Sequence, residues 1–549
     1  TEYKPQREEN TMHGLMMDTQ LSISSILRHA EKVHKHCEIV SRKPEGGIFR
    51  YTYADAGRRA RQAANVLARL GVQQQDRVAT LAWNTHRHSE LYFAVSGSGA
   101  ILHTVNPRLF PEQIVYILNH AEDEVLFLDL QFVPLIEAIR DQLPHLKHIV
   151  LMVDKASMPD SKLDLLCYEA LLEAASAEYE WPSFDENLAA TLCYTSGTTG
   201  NPKGVLYSHR STVIHALASV SNDALGVCNR SSVLPVVPMF HVNAWGVPYA
   251  ATAGGARLVL PGAGMDGASL YELIDSENVS LLLGVPTVWL GLLQYCDQEN
   301  RKLASVEEVV IGGSAAPMSM IRAFQEKHDA FVIHAWGMTE LSPMGTLNSM
   351  NTYMAGLSQE ERYKLQTKQG RPIYGIEIRI VDDAGQELPH DGKAFGRLQV
   401  RGPWVASSYY KHDDQSDWQD GWFDTGDVAT LDAQGYMNIV DRAKDVIKSG
   451  GEWISSIDVE NIAIGHDAVA ECAVVGVPHP KWDERPLLLV VLNPGASLTK
   501  EAMLEYLADK IVKWWMPDEV LFVEELPHTP TGKLLKRQLR DQYQSVYTQ

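Results

Sequence analysis

Apolar positions recur at helical spacing over residues 52–70 (TYADAGRRARQAANVLARL), and Gly71 stands where such a helix would stop. The short apolar run RVATLAW (77–83) follows and reads as a buried strand. The alternation repeats with FPEQIVYILNHAE (110–122) and FVPLIEAIRDQL (132–143) as helices, DEVLFLD (123–129) and HIVLMV (148–153) as strands. A second series runs from Thr191 to about Ile333 through TVIHALASV, ARLVLPG, LYELIDSENVSLLLGV and MIRAFQEKH, with no repeat at a fixed short period. Helix and strand in turn predict a largely parallel sheet covered by helices. From about Gly370 the pattern changes to short strands and turns (IEIRIVD, GRLQVRG, GYMNIVDR), a β-rich subdomain closing the large one. Mixed helix and strand follow residues 441–446. The expected class is therefore α/β: helix-covered sheets plus a β-rich subdomain over 1–440, then a smaller α+β domain over 447–549.

At 549 residues the chain exceeds what one hydrophobic core serves, which supports the division. A formal charge of −21 leaves no basic footprint for nucleic acid, so any anionic ligand needs local lysines, arginines and backbone N–H groups. Six cysteines without a CxxC pair predict buried thiols in a reducing compartment. The N-terminus lacks the apolar stretch of a signal peptide, and the apolar segment SLLLGVPTVWLGLL is broken by Gly and Pro. A cytoplasmic protein without membrane insertion is expected. The aspartates of 411–427 do not match calcium-loop spacing and read as a solvated turn.

Candidate chemistry concentrates in Tyr194–Gly204, YTSGTTGNPKG. Three glycines allow backbone N–H groups to approach an anion, and four hydroxyls and Lys203 add donors and charge. That composition suits a polyphosphate, yet the Gly-x4-Gly-Lys-Ser/Thr spacing of the common phosphate loop is absent. A competing signal, Gly262-Ala-Gly264-Met-Asp-Gly267, satisfies GxGxxG, but the following strand ends at Gly284-Val285-Pro286 instead of an acid. It reads as a turn, against an oxidoreductase.

TSGTTGNPKG closely resembles the phosphate-binding signature of the acyl-adenylate-forming superfamily, which includes acyl-CoA ligases, luciferases and peptide-synthetase adenylation domains. Further motifs resembling the family's occur in its order: GGSAAP (312–317), WGMTE (336–340), WFDTGD (422–427), DRAKDVIKSGGEWIS (441–455) and PHTPTGK (527–533). The resemblance implies an acid–thiol ligase that uses ATP, Mg2+ and coenzyme A, first making an acyl-adenylate and then a thioester. It also implies that residues 1–440 form an AMP-binding domain, 441–446 a hinge and 447–549 a mobile domain.

By the same resemblance, Lys533 is the catalytic lysine of adenylation, and Thr195, Ser196, Gly197, Thr198, Thr199, Gly200 and Lys203 hold the phosphates. Glu340 coordinates magnesium, with Thr198 assisting, and Thr339 contacts phosphate. Gly313, Ser314, Ala315 and Ala316 contact adenine, with Trp336, Gly337 and Met338 beside it. Trp336 replaces the family's usual Tyr, so its polar tip differs. Asp427 takes the ribose hydroxyls and Arg442 also reaches the ribose. Lys444 is the hinge pivot, and Gly450, Gly451 and Glu452 line the pantetheine tunnel.

His241 in PMFHVNAW resembles the residue that gates the acyl pocket. Val242 follows, where amino-acid-activating relatives place an Asp for the substrate ammonium, which argues for a non-amino acid. Trp245 resembles a tryptophan of fatty acyl-CoA ligases, and Gly284, Val285 and Pro286 are expected to add a wall. The pattern looks most like medium- and long-chain fatty acyl-CoA ligases, and within them like bacterial 3-methylmercaptopropionate–CoA ligases, which act in dimethylsulfoniopropionate demethylation. A small carboxylic acid is the implied substrate and a homodimer the implied assembly. A carrier-protein-loading adenylation module and a luciferase-like oxygenase share these motifs. The chain ends shortly after Lys533, which is expected to leave no room for an attached carrier.

Overall fold

The structure is a computed structural model, and it describes residues 12, 14–195, 201–449, 452–528 and 534–547. Four sheets carry the fold. The first, of seven strands, runs in the order Leu165–Cys167, His148–Leu151, Val125–Leu128, Arg77–Leu81, Ile101–Thr104, Ala189–Tyr194, Gly204–Ser208, and is parallel except at the last pair. The second has nine strands, and its parallel centre is Phe331–Gly337, Glu308–Ile311, Leu281–Gly284, Ser232–Pro235, Arg257–Leu260 and Glu38–Arg42. Leu281–Gly284 is buried along its whole length, as a strand covered on both faces must be. The expected parallel, helix-covered organisation is therefore present, as two sheets.

The helix Tyr53–Arg69 shows why the pattern was readable. Thr52 and Asp55 form a reciprocal cap at its start, and Ala56, Ala60, Ala63, Ala64 and Leu67 make its buried stripe. Gly71 follows at φ +86°, a left-handed position that costs glycine nothing. The GxGxxG segment does join a strand to the helix Gly267–Ser276, but as a packing turn. A Cβ on Gly262 would lie 2.6 Å from the Arg42 carbonyl oxygen, so the glycine is needed for close backbone packing.

The third sheet, five strands between Glu377 and Arg442, is the β-rich subdomain, and the fourth, five strands between Ile447 and Phe522, belongs to the C-terminal region. The turn between them holds Lys444, whose carbonyl accepts from Arg540 Nη1 at 3.0 Å, while Arg540 Nη2 pairs with Asp445 at 2.7 Å. No helix among the described residues is long and apolar enough to cross a membrane.

Burial pushes the imidazoles of His88, His209, His215 and His334 down to about 4. Unfolding returns each toward its ordinary value of about 6.5, so the unfolded chain takes up protons first. Burial raises Asp129 to about 7 and Asp458 to about 6, which acts in the opposite sense as pH falls. Burial also lowers His34, His86, His120 and His328 and raises Asp123, Glu308 and Glu460, so eight lowered imidazoles stand against five raised carboxyls. The expected outcome is a melting temperature that drops steadily between about pH 6.5 and pH 4 in calorimetry; an unchanged value across that window would contradict it.

Candidate functional site

The motif residues gather where ligands bind in open α/β sheets, at the carboxyl ends of the strands. His241–Trp245 follows Ser232–Pro235, Val285 and Pro286 follow Leu281–Gly284, the 312–317 loop follows Glu308–Ile311, and Glu340 follows Phe331–Gly337. The Tyr194–Gly204 segment leaves the corresponding end of the neighbouring seven-stranded sheet.

That segment is closed at its base. Thr195 N donates to the Lys203 carbonyl at 2.9 Å, and Lys203 N donates to Thr195 Oγ1 at 3.1 Å. Ser196, Gly197, Thr198, Thr199 and Gly200 lie outside the described residues. The Lys203 ammonium lies 4.5 Å from the Tyr409 ring centroid and 3.4 Å from Asp417. Both partners of the Asp417 pair are about two-fifths exposed, so the pair is weak.

Thr339 and Glu340 are buried. Tyr207 Oη donates to the Thr339 carbonyl at 2.6 Å, and Tyr409 Oη donates to Glu340 Oε1 at 2.7 Å. No group of three or more His, Cys, Asp or Glu side chains that could hold a metal occurs among the described residues. A hard carboxylate oxygen at Glu340 fits a magnesium ion that arrives with the nucleotide's own phosphate oxygens, and not an all-protein cage.

Among the described residues, Asp427 is held from two sides. It sits opposite Arg442 across two antiparallel strands, and Arg442 Nε reaches its Oδ1 at 2.9 Å. The Trp336 indole Nε1 donates to Oδ2 at 3.0 Å. The polar tip of the tryptophan is thus directed at the carboxylate, while its ring lies over Gly345, where a Cβ would come within 2.5 Å. Gly337 packs on Pro343, and Met338 N donates to the Pro343 carbonyl at 3.1 Å. Replacing Trp336 with phenylalanine keeps an aromatic plate but removes the N–H. A KM for ATP about 5–10-fold higher is expected, the scale of one net hydrogen bond, and an unchanged KM would contradict it.

Gly313, at φ +80°, and Ser314 are exposed, Ala315 is half-buried and Ala316 is buried. A Cβ on Gly313 would lie 3.2 Å from Val285, and one on Gly312 would lie 2.9 Å from the Trp245 ring. The expected acyl wall and the expected adenine loop therefore touch. Trp289, four residues beyond Val285, is fully buried in the core, and a Cβ on Gly284 would come within 2.5 Å of its ring.

Nothing in the sequence announces the backbone after His241. Val242, Asn243, Ala244 and Trp245 all have φ between 46° and 58°, one turn of left-handed helix that ends on Gly246 at φ +73°. Such a turn costs L-residues about 1–2 kcal/mol each. Asn243 anchors it, donating to Thr191 Oγ1 at 3.1 Å and accepting from Cys193 Sγ at 3.4 Å. Val242 is buried among Cys193, Val205, Tyr207 and Tyr409. Of the remaining expected residues, Lys533, Gly450 and Gly451 lie outside the described residues, and Glu452 opens the strand Glu452–Ile454 opposite Ser449.

Residues 27–410 match the AMP-binding enzyme family and residues 458–533 its C-terminal domain, so the chain belongs to that family, and with the CoA ligases among its relatives it is an AMP-forming acyl-CoA synthetase. Among its relatives, the 3-methylmercaptopropionyl-CoA ligase of Ruegeria lacuscaerulensis is 53% identical over 98% of this chain and all of its own length. The medium-chain-fatty-acid–CoA ligase of Ectopseudomonas oleovorans is 51% identical over 97% of this chain and 98% of its own. The crystal structure of the anthranilate CoA ligase AuaEII with anthranoyl-AMP superposes at a TM-score of 0.85 with 27% identity, covering 97% of this chain and 99% of that one.

Proposed function

We propose that this chain joins 3-methylmercaptopropionate to coenzyme A, driven by ATP, in dimethylsulfoniopropionate demethylation. The observation that carries the choice of acid is the 53% identity, along the whole chain, to a ligase named for that acyl group. A buried, apolar Val242 beside His241 supports a substrate without an ammonium. Medium-chain fatty acids are the second reading, favoured by the 51% identical relative named for them.

In the first half-reaction a carboxylate oxygen attacks the α-phosphorus and the bond to pyrophosphate breaks. In the second, the thiol sulfur attacks the acyl carbon and AMP leaves. Thr195, Lys203 and the intervening loop hold the phosphates, Asp427 and Arg442 the ribose, and the 313–316 loop, with Trp336, Gly337 and Met338 beside it, the adenine. Magnesium bound with the nucleotide would neutralise developing phosphate charge. Glu340, and Thr198 beyond the described residues, would hold it. His241, Trp245 and Val285 border the acyl group.

Lys533 serves adenylation, and the division at 441–446, with Lys444 as pivot, lets the C-terminal domain turn so that Gly450, Gly451 and Glu452 can meet the pantetheine arm. The end of one sheet at Arg442 and the start of the next at Ile447 support that division. A cytoplasmic homodimer completes the reading and rests on family likeness. The test is a panel of acids from acetate through 3-methylmercaptopropionate to palmitate, scored by AMP release with coenzyme A. The highest kcat/KM is expected for 3-methylmercaptopropionate. Alkyl acids one methylene away should follow within about 10–200-fold, because one methylene discriminates by only ~1–3 kcal/mol. A maximum at octanoate or longer would replace this acid with the second reading.

A further inference from the structure

The segment from Ala406 to Tyr410 matches none of the motifs that suggested the activity, yet it touches both halves of the expected polyphosphate site. Ala406 N donates to the Glu340 carbonyl and Tyr409 Oη to the Glu340 carboxylate, each at 2.7 Å. Tyr410 N donates to the Gly204 carbonyl at 2.8 Å, at the end of the phosphate-loop segment. Between these, the Tyr409 ring carries the Lys203 ammonium on its face, 4.5 Å from the centroid, within the range of a cation–π contact. Trp418 closes one side of the ring, with centroids 5.0 Å apart at 75°, and its indole Nε1 donates to the Ala406 carbonyl at 2.6 Å. Only about 8% of Tyr409 is exposed, so packing holds the ring in place.

From this we infer that Tyr409 is a positioning residue for the nucleotide's phosphates. A lysine and a carboxylate that must both face a polyphosphate attract one another, and a direct pair would turn both away from the ligand. The phenol gives each a separate place, the cation on the ring face and the carboxylate at the hydroxyl. One Glu340 oxygen is occupied by a donor that cannot leave, which fixes the orientation of the carboxylate before nucleotide arrives. The weak Asp417 pair leaves Lys203 free to move to phosphate without losing the ring. This role rests on the ligase reading proposed above, because only that reading puts a polyphosphate between Lys203 and Glu340.

The test is the pair Tyr409→Phe and Tyr409→Leu, measured by calorimetric titration of ATP with magnesium and with EDTA, and by each half-reaction separately. Tyr409→Phe keeps the ring face and loses the hydroxyl. Its affinity for magnesium-ATP should fall about tenfold, the scale of one hydrogen bond to a charged group. With EDTA the fall should be less than twofold, and thioester formation from supplied acyl-adenylate should stay within twofold. Tyr409→Leu should weaken ATP under both conditions. Parental affinity in Tyr409→Phe would overturn the proposal, as would equal loss of both half-reactions, which marks a packing role. Failure of the unaltered protein to release pyrophosphate would instead overturn the ligase reading, while the binding data would still judge Tyr409.

Discussion

Replacing Lys533 with alanine is expected to lower pyrophosphate release by about 10²–10³-fold while leaving thioester formation from supplied acyl-adenylate within a few-fold of normal. The asymmetry follows from electrostatics. Bringing a carboxylate to within ~4 Å of a phosphate oxygen opposes two unit charges by roughly 4 kcal/mol at an effective dielectric near 20. An ammonium bridging them removes that repulsion in the first half-reaction. In the second, a neutral acyl carbon meets a thiol, and the lysine has no comparable task. Lys533 lies outside the described residues, but His528 and Leu534 pair on either side of it, and Leu535 N donates to the Pro527 carbonyl at 2.9 Å. The ends of the segment are therefore held together. Quenched-flow measurement of each half-reaction checks the prediction, and equal loss in both would contradict it.

Asp427→Asn is expected to raise the KM for ATP by about 10²-fold and, unlike Lys533→Ala, to slow both half-reactions. The native carboxylate offers an acceptor oxygen to each of two donors, Arg442 Nε and Trp336 Nε1. An amide has one acceptor oxygen, so its NH2 must face one of those donors. Both donors are only half-buried, so the one that loses its acceptor costs about 1–1.5 kcal/mol, the net worth of a hydrogen bond. Loss of the charged acceptor for the ribose adds a similar amount. The ribose persists from ATP into the adenylate, which spreads the defect over both steps. Selectivity for ATP over 2′-deoxy-ATP should shrink in the variant. If KM and selectivity stay at parental values, Asp427 does not hold the ribose.

Much of the architecture was readable because its signals are local. The helix Tyr53–Arg69 declares itself through a cap, a period and a terminal glycine within twenty residues, and the 194–204 segment through its glycines and hydroxyls. What escaped is long-range. Tyr409 pairs with Glu340 across 69 positions and with Lys203 across two sheets, and no spacing rule links them. That the polar tip of Trp336 differs from a tyrosine's is legible in the sequence, but only the approach of Asp427 gives its N–H a partner. The left-handed turn at Val242–Trp245 runs against propensity, because a β-branched residue at φ 46° is normally excluded. It persists because Asn243 is bonded to the strand leading into the phosphate loop and Trp245 packs on Gly312. Such departures are characteristic of functional sites.

The central claim is that a carboxylate displaces pyrophosphate from ATP before any thiol takes part. Isotope exchange between labelled pyrophosphate and ATP, with magnesium and 3-methylmercaptopropionate but no coenzyme A, tests it most directly. The expected result is label entering ATP only when the acid is present, and much less with Lys533→Ala. No exchange with any acid, from a protein shown to bind ATP, would contradict the account.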